Sequence, residues 1–354
     1  MSNETSNAKG LVALSSAPKN MPPDWTPPAP AWGSSFAHQA TPFVMAYFGA
    51  QLGPDAQARP VPHVHSFFDS VDAPVNFESA WYTDRIGSTN VITAAYWTDP
   101  TSYERWKNNS GFEGWWNNRA RLKEQRGHFR EILTIPPNRL ETIFSHGILV
   151  GVARTGSPVV GPIREHNYWG SMRDRLLVSE HDDLRSSYGE RMPRLGTKDT
   201  TGRRLRLRAP ENLAIIRSGQ DWTNCAGEEL VEYEDSVRPA LIEGMTFLRD
   251  NPDLAGCCEL RFAQESDREG TPLKRTFGLG YFLTLGHLEK WAATHPTHLA
   301  IFGRFLTMVR KYSADLKLRL WHEVSVLPAA DQVFEYINCN SETGLLPYFP
   351  SEEY

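Results

Sequence analysis

The chain of 354 residues reads as an α+β protein built from a duplicated unit with antiparallel strands. Three observations predict this. Strand-like runs rich in β-branched and aromatic residues alternate with amphipathic helical runs, in the same order in both halves. Tyr96 and Trp106 stand ten positions apart, as do Tyr281 and Trp291. Phe129-Arg-Glu-Ile before Pro136 is echoed by Trp321-His-Glu-Val before Pro328, and residues 47–51 are echoed by 216–220. Self-similarity of this kind marks a repeated architecture.

The elements follow in order. Residues 1–20 are rich in Ser, Asn and Ala and lack an apolar core, so they read as disordered and not as a signal peptide. Residues 21–40 begin MPPDWTPPAPAW, an extended arm expected to lay its two Trp on the body. The first half, 41–150, has strand patterns at 43–51, 90–98 and 128–135. Between them lie an irregular stretch at 57–65, a helix starting at Tyr103 and helical signal at 115–125. A short amphipathic run at 139–144 closes this half. Residues 151–204 are rich in charge and Gly, the composition of a functional loop or of a plain surface excursion. The second half, 205–345, repeats the order: strand 212–220, long helix 228–250, strands 254–263 and 274–284, a helix near Leu288, the helix of His298, and strand 318–326. Residues 346–354 form a C-terminal tail.

Composition narrows the function. Net charge is −5 with no long basic run, which argues against a nucleic-acid surface. No run approaches the roughly 18 apolar residues of a membrane span. The four cysteines form no CxxC or CxxCH, which suits a reducing cytoplasm and excludes covalent cofactor attachment by that motif. Eleven Trp, with twelve Tyr and seventeen Phe, suggest a large aromatic-lined core or pocket.

The second half carries the residues suited to chemistry. His298 falls on a helix after Pro296, with Phe302, Phe305 and Val309 on its side. Such a residue is either a hydrogen-bonded core histidine or a neutral imidazole ligand to iron beneath a flat macrocycle. Zinc suits it less: HPTH offers nitrogens at i and i+3, but the helix adds no carboxylate or thiolate. Alternation puts His322 on a strand face with Leu320, Val324 and Val326, and Glu323 on the opposite face. Glu141 follows the equivalent strand of the first half, so a duplicated fold can bring it to His322 as an acid/base partner. Ser218 has no GxSxG elbow and reads as a hydrogen-bonding group or a turn serine. Arg173 and Arg175 are solvated loop charges by default. The repeat sets His322 against Arg130, Ser218 against Gly49, and HPTH against residues 110–113.

Four segments in order, EHNYWGSMRDR (165–175), IIRSGQDW (215–222), HPTHLAIF (295–302) and LRLWHEVSV (318–326), followed by EYINC (335–339), carry a resemblance. The sequence resembles the haem-containing aldoxime dehydratases, including the phenylacetaldoxime dehydratases, over nearly its whole length from about residue 21. The resemblance implies two ferredoxin-like halves forming a barrel-like antiparallel sheet body, with outer helices, a haem pocket and a homodimeric assembly. It implies haem b, ferrous in the active state, with His298 as its proximal ligand. It further implies His322 as distal acid/base, Ser218 bonded to the oxime hydroxyl, Arg175 as catalytic arginine, and Glu141 as the carboxylate supporting His322. The expected reaction is dehydration of an aldoxime to a nitrile in the cytoplasm. The residues also admit a peroxidase-like or chlorite-dismutase-like haem enzyme with Arg175 as distal cation, or a haem gas sensor without chemistry.

Overall fold

The computed structural model describes Leu14 and residues 18–35, 41–54, 56, 60–196 and 199–354. The expectation of disorder over 1–20 falls mostly outside these residues, and so does the end of the 21–40 arm.

The described chain enters through strand β1 (Gly33–Ser34). The first half supplies β2 (Phe43–Gly53), β3 (Asn76–Thr83), β4 (Thr89–Trp97), helices α1 (Pro100–Asn109) and α2 (Phe112–Asn117), then β5 (Gly127–Ile135) and β6 (Leu140–Phe144). The connection holds β7 (Val159–Val160) and α3 (Ser171–Arg175), and β8 (Arg204–Leu207) follows. The second half supplies β9 (Leu213–Asp221), then α4 (Gly227–Glu232) and α5 (Arg238–Asp250) joined through a π turn, and α6 (Pro252–Ala255). It continues with β10 (Cys257–Ser266), β11 (Pro272–Phe282), α7 (Leu285–Thr294), α8 (Pro296–Tyr312), β12 (Arg319–Leu327) and β13 (Gln332–Ile337), and β14 (Ser351–Glu353) ends the chain's regular structure.

Twelve strands form one antiparallel sheet in the order β14-β8-β13-β5-β2-β4-β3-β10-β11-β9-β12-β6, while β1 pairs with β7 separately. The duplication is visible in this order. The first half contributes β5-β2-β4-β3 and the second β12-β9-β11-β10, the same sequence of fourth, first, third and second strand. The halves meet where β3 pairs with β10. The strand after each half then crosses over: β6 lies against β12, and β13 against β5. One face of the sheet carries a core shared by both halves, with Tyr47, Leu133, Leu279, Tyr281 and Tyr336 among its members. The other face is covered by helices.

Register refines the match between the halves. Gly49 lies opposite Phe129 and Gly219 opposite Trp321. In each case an added Cβ would run into the facing ring, at 2.0 and 2.3 Å, so the position must stay glycine. Gly49 therefore matches Gly219, and the counterpart of Ser218 is Phe48, one residue from the expected match. Strand β3 was not legible in the sequence; its Glu78 is spent on the buried Arg217 and breaks the alternation that would have announced it. The expected strand 254–263 begins later, at Cys257, after the turn of α6, and the helical signal over 115–125 divides into α2 and a 3-10 segment.

Local chemistry fixes the helices that frame the site. Asp99 caps α1, accepting from the Ser102 amide at 2.9 Å, and Thr284 caps α7 through the His287 amide at 3.1 Å. Caps of this type contribute about 1 kcal/mol each. Helix α8 has Pro296 in its first turn, where a missing N–H costs nothing, and His295 as its cap. No helix among the described residues is long and apolar enough to cross a membrane.

Candidate active site

The cap explains one half of the HPTH motif. His295 Nδ1 faces the Thr297 hydroxyl at 2.8 Å, and its ring stacks on Phe247 with centroids 3.8 Å apart. His295 is thus committed to starting the helix. His298, one turn on, is left for other work. It is flanked by Trp291 at 4.8 Å, Trp169 at 6.4 Å and, nearly parallel to it, Phe302 at 6.4 Å. Its Nδ1 is buried with no partner in hydrogen-bond geometry. Burial lowers its pKa to about 4, against the opposing influence of the Ala292 carbonyl and with a small push in the same direction from His322. The imidazole is therefore neutral across the physiological range, the form in which it can ligate a metal. No group of three or more His, Cys, Asp or Glu positioned for a bare metal ion occurs among the described residues.

The other expected residues converge on the sheet. β12 pairs with β9 on one side and β6 on the other, which sets His322 opposite Ser218 and sets Val324 opposite Glu141. Glu141 is thus a diagonal neighbour of His322 on the same face, within reach of a long side chain. Its Oε1 stands 2.9 Å from His322 Nε2, an ion-pair contact in which the N–H is not aimed squarely at the oxygen. Its Oε2 accepts from Arg175 Nε at 2.6 Å. Arg175 Nη1 donates to the Glu165 carbonyl at 2.6 Å, and its Nη2 lies 3.1 Å from His322 Nε2. Arg175 is no solvated loop charge: it is buried, as is Glu141, whereas His322 and Ser218 are half-buried and stay accessible. Burial pushes the Glu141 carboxyl up, but Arg175 and then His322 outweigh it and hold it below the usual carboxylate range.

Glu323 points to the opposite face, as alternation required. There it accepts from the Tyr96 hydroxyl and from the Val152 amide at 2.9 Å, near Arg217. Burial raises its carboxyl to about 6, with Arg217 opposing. This cluster behind the site escaped sequence reasoning, because Glu78, Tyr96, Arg217 and Glu323 come from four strands of both halves. The Glu165 carbonyl and the indole of Trp169 were missed as well, although both residues lie in the EHNYWGSMRDR segment.

The surroundings of the two histidines have a recognisable signature. The seventeen-residue α8 fully buries only Met308, although its sequence is largely apolar. On the helix-facing side of the second half the apolar core is split. One cluster holds Leu288, Trp291, Val324 and Val326, the other Trp222, Met308 and Leu318. His322 and Ser218 lie on the strands that run from one cluster to the other. Trp169, 51% exposed, packs on Phe302 at 5.8 Å beside His298. Half-buried flat walls, a neutral imidazole and a divided core fit a planar apolar cofactor with a nitrogen ligand.

Comparison with known proteins agrees. The family model for haem-containing dehydratases matches residues 46–345. The chain belongs to the haem-containing dehydratase family. It is 37% identical to an aliphatic aldoxime dehydratase of Pseudomonas chlororaphis over 333 residues, covering 93% of each chain. It is 34% identical to the phenylacetaldoxime dehydratase of Bacillus sp. (strain OxB-1), covering 95% of this chain and 96% of that one. A crystal structure of aldoxime dehydratase in complex with butyraldoxime superposes with a TM-score of 0.86 at 36% identity, over 95% of this chain and 93% of that one. Membership in the haem-containing dehydratases carries a haem cofactor and a lyase-type enzyme activity.

Proposed function

We propose that this haem-containing dehydratase converts aldoximes to nitriles, R–CH=N–OH giving R–C≡N and water, at a haem b bound by His298 and ferrous in the active state. One observation carries the reading: His322, Glu141 and Arg175 form a closed charge cluster directly across the strand pair from Ser218, on the helix-facing side that His298 also serves. The relatives named as acting on aldoximes support the substrate class.

The haem, when bound, supplies a metal centre for the oxime nitrogen and electron density for the N–O bond. The chain's own residues manage the protons. Hydroxide leaves poorly, so the oxime oxygen needs a proton as its bond to nitrogen breaks. The Ser218 hydroxyl orients that oxygen. His322 engages Glu141 and Arg175 through Nε2, which leaves Nδ1 to donate the proton and afterwards to take up the aldoxime C–H proton. Glu141 faces the Nε2–H that His322 keeps in both protonation states and supplies the negative charge an imidazolium needs, while Arg175 holds the Glu141 carboxylate in place. No net redox change is involved.

The test separates the two histidines. His298→Ala loses the Soret band and stays folded by circular dichroism. His322→Ala keeps the Soret band and loses about 10³-fold in kcat, the size of a general acid/base contribution. Full nitrile production by haem-loaded His322→Ala would overturn the proton-transfer role.

A further inference from the structure

Residues 18–25 lie against the segment that presents Arg175, and their attachment point is Asp174. That carboxylate is buried. Its Oδ1 accepts from the Lys19 amide at 3.0 Å and the Asn20 side-chain amide at 2.8 Å. Its Oδ2 accepts from the Asn20 backbone amide at 3.0 Å and the Tyr168 hydroxyl at 2.8 Å. The Lys19 ammonium runs on to the carbonyls of Ser179 and Glu180, at 3.1 and 3.2 Å. Trp25 donates to the His166 carbonyl at 3.1 Å and meets the Tyr168 ring edge-on at 5.6 Å. Gly170, at φ +93°, opens α3, and an added Cβ there would meet Asn20 at 2.6 Å, so the close approach of this strap is built into the backbone.

The geometry points to Asp174 as a positioning residue: strapped down by residues 18–25, it holds the one-turn helix α3 so that Arg175 meets Glu141 and His322. Helix α3 is too short to be rigid by itself. Its other anchors, Arg173 on Glu289 at 2.7 Å and buried Leu176, tie it to the helical layer, away from the strap. Neighbouring side chains on one turn point in different directions, so Asp174 facing the strap leaves Arg175 facing the site. Losing the strap lets the turn rotate, and a shift of about 1 Å in a reacting constellation can cost on the order of 10²-fold. This inference rests on the reading of Arg175 in the proposed mechanism.

The test uses the haem-loaded full chain. In Asn20→Asp a carboxylate is set against Asp174 without touching the loop. In Asp174→Asn one of the two acceptor oxygens becomes an NH2 donor facing other donors. Each is expected to lower kcat about tenfold with KM nearly constant, and to shift the C–O stretch of the ferrous carbonyl complex, which reads the field of the nearby guanidinium. The double variant Asn20→Asp/Asp174→Asn restores the side-chain donor–acceptor pair with the roles exchanged, leaving the backbone and Tyr168 donors one acceptor short, and is expected to recover part of kcat and of the original stretch above both single variants. Unchanged kcat and stretch in both single variants, with the strap released as judged by proteolysis after Lys19, would overturn the inference. Arg175→Lys is the control for the mechanism itself. If it is fully active the catalytic reading of Arg175 fails, whereas if it is inactive and Asp174→Asn is normal, only the strap inference fails.

Discussion

Where the helix-facing side of the first half has Phe48 and Arg130 beside Val333 of the incoming β13, the second half has Ser218 and His322 beside Glu141 of the incoming β6 at the matching register positions. Phe48 packs against Phe112, Trp106 and Trp97 with centroids at 5.2, 5.7 and 6.4 Å, inside a single apolar cluster. Arg130 is neutralised by Glu335 and Glu113, at 2.5 and 2.7 Å, and lies over the Trp116 ring at 4.7 Å. The same scaffold therefore yields a buried aromatic cluster in one copy and an accessible His–Glu–Arg cluster in the other. The acid has moved too: Glu335 pairs with Arg130 directly across the strands, while Glu141 reaches His322 from a diagonal position, with Ile143 opposite the ring. A direct pair gives a closed ion pair. The diagonal leaves the half-buried imidazole open to a ligand.

Copying one half into the other should break this contrast. Ser218→Phe imports the first half's plug. It is expected to lower turnover by about 10³-fold or more by denying the substrate its place, with stability changed by less than the roughly 3 kcal/mol that overpacking costs. The measurement is kcat beside a thermal melt, and retained activity would show that the space lies elsewhere. The reverse change, Phe48→Ser, opens a cavity among three indole and phenyl rings. It is expected to cost about 3–5 kcal/mol in denaturant unfolding and to leave kcat within about twofold. A large kcat effect would mean the first half does more than support the second.

The smallest effect concerns pH. The folded-state carboxyl of Glu141 is held below the ordinary value by Arg175 and His322 against the effect of burial. The stability it contributes is fully present above about pH 4.3, the value of an unfolded Glu, and is lost as pH falls through the lower folded value. The stability gap between the native chain and Glu141→Gln should therefore narrow in unfolding curves taken below about pH 4. A gap that stays constant through that range would show that the Glu141 charge is not what the cluster stabilises.

Much of the fold was legible because its elements are strongly patterned: β2, β4, β5, β9, β11 and β12 show clear strand composition, and α5, α7 and α8 show a helical period. What stayed hidden has physical reasons. β3 carries a buried charge for a partner on another strand, and β13 is short. The match of Ser218 slipped by one residue because Gly49 looks like a partner for it until the rings of Phe129 and Trp321 show which glycines must coincide.

The sequence alone determined the chemistry available: two imidazoles in apolar settings, an arginine and a glutamate well before them in the chain, a serine that it read at a strand end but that lies within β9, and a repeat whose first half lacks these residues. The tertiary structure decided which of them meet. Glu141 reaches His322 because β6 leaves its own half to pair with β12, and Arg175 reaches both because α3 is strapped beneath residues 18–25. Local propensity cannot encode either event, since strand exchange and the docking of a loop depend on contacts between residues more than a hundred positions apart, stabilised only once both halves are folded.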